Sequence, residues 1–227
     1  MKKIQLLTLT LGHEKYFRRD IPKIRGYFGR QFPQYIQLHH HIESNKFIYA
    51  YPLVQYKVLN YTPTIVGINS GADVLKQIQF SISEMKIADA VIPITEKSIT
   101  VSEQKFGLDK ELHFYKFVSP WLALNQKNYH SYRNADYHGK FDLLNRILVG
   151  NLLSMSKAME YTVPDRIEIT NDTRLKPVKL KGMDMSGFSG LFACNFIIPD
   201  NMGIGKSVAR GFGTVKQISI EDVGKYY

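Results

Sequence analysis

The first 94 residues run through an order of patterns that few folds accommodate: strand, helix, two strands, helix, strand. Residues 4–11 (Ile-Gln-Leu-Leu-Thr-Leu-Thr-Leu) read as a β-strand closed by Gly12. Asp20 then precedes Ile21-Pro22, an N-cap followed by a proline acceptable in a first helical turn. Ile24, Tyr27 and Phe28 fall at i, i+3 and i+4, so a short helix with one apolar face ends near Pro33. Residues 47–59 are aromatic and β-branched, with Pro52 marking an edge or bend. Residues 64–68 make another strand. Asn69-Ser70-Gly71 turns into a second helix whose face holds Val74, Leu75, Ile78, Ile82 and Met85, and residues 91–94 supply a closing strand. The order β-α-β-β-α-β is that of a ferredoxin-like unit, shared with RNA-recognition modules.

The second half repeats the pattern with a change. Residues 96–111 are polar and read as a connection or loose hairpin, before a strand at 112–118. A long helix is predicted from 140 to 161, with Leu144, Ile147, Leu148, Leu152, Met155 and Met159 on its stripe, interrupted by Gly150 and Asn151, and Pro164 stops it. Strands near 166–170 and 175–183 follow. Phe188, Gly190, Phe192, Cys194, Phe196 and Ile198 alternate, as in a half-buried strand. The expected second helix is replaced or shortened, and a glycine-rich loop occupies the space before the last strand. The predicted class is therefore α+β: two tandem ferredoxin-like (RRM-like) domains, residues 1–110 and 111–227, the second modified by a glycine-rich loop.

That loop is Gly203-Ile204-Gly205-Lys206-Ser207-Val208-Ala209-Arg210-Gly211-Phe212-Gly213. Its glycines allow close backbone approach, and successive N–H groups can form a nest for an anion, with charge from Lys206 and Arg210. Gly205-Lys206-Ser207 resembles the end of a nucleotide P-loop, but position 200 is aspartate where that motif needs glycine, and only 14 residues follow Gly213. A nucleotide site is not expected. Thirty Lys and Arg against twenty acids give a net charge of +10, which favours a polyanionic partner, most simply nucleic acid. Arg25 and the run bearing Lys176 and Lys179 join the loop residues Gly203, Gly205, Lys206, Arg210, Gly211 and Gly213 as candidate RNA contacts.

Leu38-His39-His40-His41 is the other unusual stretch. In an extended chain His39 and His41 project to one side and His40 to the other. Histidine titrates near neutrality, so a same-side pair can supply one general base and one general acid. RNA cleavage through its own 2′-OH needs those parts, a cation or tyrosine near the phosphate, and neither metal nor cofactor. Tyr49, Tyr51 and Lys57 lie close in sequence. If the segment is helical or kinked, His40 takes the functional place instead. Cys194 is alone, which excludes a disulfide framework and a cysteine metal cluster. There is no apolar run of the ~20 residues a bilayer requires and no leader-like segment, so a cytoplasmic protein without membrane partners is expected.

Taken together, several segments resemble the RAMP superfamily of CRISPR-associated RNA-binding proteins, and more closely its stand-alone endoribonucleases that cut precursor CRISPR transcripts. These are Ile24-Arg25-Gly26-Tyr27-Phe28, the His39–His41 triplet, Tyr51-Pro52-Leu53-Val54-Gln55-Tyr56-Lys57, Pro120-Trp121-Leu122-Ala123-Leu124-Asn125, Gly150-Asn151-Leu152-Leu153-Ser154 and the glycine loop. The resemblance implies metal-independent cleavage of CRISPR repeat RNA, leaving 2′,3′-cyclic phosphate and 5′-hydroxyl ends. It implies His39 and His41 as base and acid, with Tyr49 or Tyr51 and Lys57 in support. A non-catalytic RNA-binding subunit of a CRISPR effector complex is the alternative. Contacts with other CRISPR effector proteins, or with a second copy of the chain, are compatible with either.

Overall fold

The computed structural model describes residues 1–12, 16, 18–39, 41–43, 46–47, 50–87 and 90–226, with backbone alone at 18, 41–43 and 46–47. It divides into two compact units: one from Lys3–Gln104 with Val208–Gly211, the other from Met1–Lys2, Lys105–Ser207 and Phe212–Tyr227.

In the first unit β1 (Lys2–Gly12) buries Leu7, Leu9 and Leu11 and leads to α1 (Ile21–Gln31). Ile21, Ile24, Tyr27 and Phe28 form the buried face of α1, where Phe28 meets Tyr56 with ring centroids 5.4 Å apart. Two short strands follow, β2 (His41–Glu43) and β3 (Lys46–Phe47), then β4 (Val54–Leu59) and β5 (Thr62–Ile68) as an antiparallel hairpin. α2 spans Ser70–Ile78, shorter than its apolar stripe suggested. A 3₁₀ turn at Gln79–Ser81 ends it, and Met85 belongs to β6 (Glu84–Ile87), which pairs with β7 (Ala90–Pro93). Residues 91–94 therefore do not close the main sheet. That role falls to the start of β8 (Glu96–Phe117), the stretch expected to be a polar connection. The order β4-β5-β1-β8 corresponds to 2-3-1-4 of a ferredoxin-like unit.

The second unit starts on the later half of β8. α3 (Gln126–Asn134) and α4 (Tyr137–Ala158) follow, capped by Asn125 and Asp136 side chains that accept from the Asn128 and Gly139 N–H groups. The hairpin of β9 (Ile169–Leu180) and β10 (Met183–Ile197) comes next, then β11 (Val215–Ile218) and the short α5 (Ile220–Val223). β11 and β10 both pair antiparallel with β8, so the order β9-β10-β8-β11 again reads 2-3-1-4. Between β10 and β11, where a second helix would sit, the chain has only a 3₁₀ turn at Val208–Arg210. Both units are thus ferredoxin-like and the class is α+β.

An aromatic cluster holds the second unit together. Trp121 stacks on Phe117 at 5.5 Å with rings 1° from parallel, and its Nε1 donates to Asn151 Oδ1 at 3.0 Å. Asn151, which breaks the apolar stripe of α4, is therefore the partner that lets Trp121 be fully buried.

Candidate active site

Asn69 sets the first unit's frame: it adopts φ +48° before α2, and its Oδ1 accepts from the Gln5 N–H at 3.0 Å. Against that frame, residues 36–38 form one 3₁₀ turn, and His39 caps it with φ −132° and ψ −14°. His39 is not extended, so the alternation that would put His39 and His41 on one side does not run through it. His39 is instead fixed locally. Its carbonyl accepts from Arg25 Nη2 at 2.6 Å, and its Nε2 lies 3.2 Å from the Pro33 carbonyl. A carbonyl only accepts, so Nε2 carries the hydrogen and Nδ1 is the basic nitrogen of the neutral ring. Gly29 permits the close approach, since a Cβ there would lie 3.2 Å from that of His39. Backbone pairing sets His41 opposite Phe47. The side chain of His41, and His40 and Tyr49 altogether, lie outside the described residues.

Tyr51 and Lys57 are enclosed, at 8% and 2% exposure. Four consecutive residues of β4, Val54 to Lys57, are buried, so both faces of the strand are covered there. The Lys57 ammonium donates to Gln55 Oε1 at 3.0 Å, and Gln55 Nε2 donates to Tyr51 Oη at 2.8 Å and to the Pro52 carbonyl at 3.1 Å. Burial pulls the Lys57 pKa down to about 7. In this arrangement neither side chain opens toward a phosphate. Gln55, which the sequence reading passed over, joins the two into a buried chain.

The glycine loop divides in the same way as the chain. In the first unit the turn at Val208–Arg210 packs on α1 and β4, and a Cβ on Gly211 would fall 2.6 Å from Ile21 Cδ1. The Arg210 charge acts on Arg25. In the second unit Gly205 and Gly213 have φ of +89° and +63°, a region side chains disfavour. A Cβ on Gly205 would stand 2.5 Å from Trp121 Nε1, and one on Gly213 would collide with the Ile204 carbonyl. The N–H groups of Ile204, Lys206, Gly211 and Gly213 donate to the carbonyls of Gly213, Leu122, Val208 and Pro120. These four amides are engaged within the protein, and Lys206 and Arg210 supply the loop's charge. Gly203 forms an isolated bridge with Thr214. Lys206 Nζ donates to the Leu124 carbonyl at 3.1 Å while staying exposed, and a 3₁₀ turn rather than an α-helix directly follows Ser207. The P-loop arrangement is thereby absent.

On β9, Arg174, Lys176 and Lys179 are exposed and make no ion pair among the described residues. Leu175 and Pro177 of the same strand line a groove of about 790 Å³ together with Leu124, Asn125, Tyr129 and Lys206, while Arg174 and Lys176 alternate with them onto the other face of β9. An exposed tyrosine, an amide and Lys206 suit a polyanion with stacking bases.

The chain thus combines two ferredoxin-like units with a histidine whose carbonyl is held by Arg25 and a groove lined by Tyr129 and Lys206. Residues 2–105 match the model of the Cas6b N-terminal domain and residues 107–218 that of the Cas6b C-terminal domain. The chain belongs to the Cas6b family. A crystal structure of Cas6b is 35% identical with a TM-score of 0.90, covering 96% of this chain and 100% of that one. A structure described as the CRISPR RNA processing endoribonuclease Cas6b is 32% identical with a TM-score of 0.78 over the same shares. An uncharacterised protein of Methanocaldococcus jannaschii is 41% identical over 143 residues, 63% of this chain and 97% of that one. A type IV Cas6 crRNA endonuclease, 10% identical with a TM-score of 0.59, shares the fold.

Proposed function

We propose that this chain is an endoribonuclease that cuts CRISPR repeat RNA to mature guide RNA. The observation that carries this reading is the pair of Cas6b domain models covering residues 2–105 and 107–218. The ring and carbonyl anchors of His39 support it from the side of chemistry. One histidine of the His39–His41 segment removes the proton of a ribose 2′-OH, and that oxygen attacks the adjacent phosphorus. A second protonates the departing 5′-oxygen. The products are a 2′,3′-cyclic phosphate and a 5′-hydroxyl, with every proton passed between groups on protein and RNA. Positioned acid–base groups contribute about 10²–10⁴-fold, and in-line alignment of the strand supplies more.

In this reading Lys57, Gln55 and Tyr51 are positioning residues that hold β4 against the turn bearing Arg210. Lys176, Lys179, Lys206 and Arg210 hold the RNA backbone. Among the described residues no helix is long and apolar enough to cross a membrane.

Purified protein is incubated with a synthetic repeat RNA in excess EDTA, and the product ends are identified by mass spectrometry. One site-specific cut with cyclic-phosphate ends, lost on His39→Ala and on His41→Ala, is the expected result. Binding without any cut would assign the chain as a non-catalytic RNA-binding subunit. Light scattering of the RNA complex reads whether a second copy joins it.

A further inference from the structure

Ile21 and Arg25 lie four residues apart on α1 and so share one side of the helix. The turn Val208–Arg210 packs on α1, with Gly211 against Ile21, and Arg210 lies near enough to Arg25 for its charge to act on it. No carboxylate pairs with either guanidinium among the described residues. Arg25 spends Nη2 on the His39 carbonyl, while its Nε is buried and has no hydrogen-bond partner. Tyr56, whose hydroxyl is close enough to influence Arg25, gives its hydrogen to the Leu38 carbonyl at 3.2 Å. Burial first, and then the neighbouring Arg210 charge, both lower the Arg25 pKa.

Anchoring of the His39 loop accounts for one arginine and one of its nitrogens. It does not account for the second guanidinium. Two neighbouring cations, both partly exposed and neither ion-paired among the described residues, are the complement of a tetrahedral oxyanion, because the guanidinium fork matches phosphate geometry. The anchor on His39 then sets that anion beside the backbone of the proposed catalytic histidine.

We infer that Arg25 and Arg210 together form one seat for the phosphodiester that is cut, contacting its non-bridging oxygens. The inference rests on the reading of His39 as part of the catalytic site. As the 2′-oxygen adds to phosphorus, negative charge grows on those oxygens, and the two fixed cations stabilise it. Arg210 is then a catalytic residue, and Arg25 both touches the phosphate and positions His39.

The test is single-turnover cleavage at saturating enzyme, so that lost affinity does not enter the rate. Two repeat RNAs are compared, one normal and one with a phosphorothioate in place of a non-bridging oxygen at the cut. Arg210→Gln is the main variant, since it leaves the His39 anchor intact; Arg210→Lys retains charge without the fork. Arg25→Gln is added with a thermal melt to check folding. We expect Arg210→Gln to slow cleavage by about 10²–10³-fold. Arg210→Lys should recover part of that loss. The sulfur substitution should slow the wild type but have a smaller effect in Arg210→Gln, because both perturb one contact. A wild-type rate for Arg210→Gln, or full multiplication of the two effects, overturns the seat. His39→Ala separates the two levels: if it cleaves at the wild-type rate, the catalytic reading and the seat fall together. If it abolishes cleavage while Arg210→Gln has no effect, only the seat falls.

Discussion

Replacing Lys57 by methionine should make the protein more stable at acidic and neutral pH. Lys57 is fully buried, and its pKa falls from 10.5 to about 7 because burial penalises the ammonium. A shift of that size corresponds to about 5 kcal/mol of unfavourable free energy below pH 7, where the native state must carry the charge. Methionine keeps the stem and removes the charge, but it leaves Gln55 Oε1 without its 3.0 Å donor, at a cost of about 1–3 kcal/mol. The net gain at pH 6 is therefore about 2–4 kcal/mol. The sign with pH follows from proton counting. Between pH 7 and 10.5 the unfolded lysine stays protonated while the native one does not, so wild-type stability rises through that window. The limiting slope is about 1.4 kcal/mol per pH unit. Lys57→Met lacks that rise, and above pH 10.5 it is the less stable protein by the lost hydrogen bond. Urea denaturation of both proteins at half-unit steps from pH 6 to 10 reads the difference directly, other lysines cancelling in the comparison. Parallel stability curves for the two proteins would refute the burial argument.

Three other perturbations follow from the structure. Gly213→Ala must move the Ile204 carbonyl and adopt φ +63°, so it should destabilise by more than about 1 kcal/mol in thermal melts, whereas Gly150→Ala meets nothing within 4 Å and should not. Asn151→Leu leaves the indole N–H of Trp121 unpaired; a loss of about 1–3 kcal/mol and a shifted fluorescence maximum are expected, the emission being readable because the chain has one tryptophan. Lys176→Ala and Lys179→Ala should each lower the slope of log K against log salt for RNA binding by about 0.7–0.9 if they contact phosphates, measured by fluorescence anisotropy from 50 to 300 mM salt as an order-of-magnitude range.

Where hydrophobic periodicity is strong, the sequence is a good guide. Ile24, Tyr27 and Phe28 mark α1, and the alternation from Phe188 to Ile198 marks most of β10. It misleads where burial continues across a change of conformation: Ile82 and Met85 keep helical spacing from Ile78, yet Ile82 is extended after a 3₁₀ turn and Met85 lies on a strand. It is silent where backbone hydrogen bonds do the work. Glu96–Gln104 is almost wholly exposed and holds its place beside β1 as a strand, and α3 buries no side chain, so neither has an apolar period to detect.

At the candidate site, the sequence offers residue types but not their arrangement. The histidine triplet signalled acid–base chemistry, but the kink at His39 depends on the turn at 36–38 and on Arg25 fourteen residues earlier. The glycines of the C-terminal loop looked the same whether they served an anion or a close contact; Trp121 and Ile204 account for two of them. Lys57 looked like a phosphate-contacting cation because its burial depends on β4 being covered on both faces. Arg25 and Arg210, 185 positions apart, become one feature only after folding.

A single 2′-deoxy substitution tests the central claim most directly. The repeat RNA carries one deoxyribose immediately 5′ to the cut, and cleavage by wild-type protein in EDTA is compared with the all-ribose strand. Binding unchanged with cleavage abolished is the predicted result, since the missing 2′-oxygen is the nucleophile. A deoxy strand cut at the same position and rate would contradict the account.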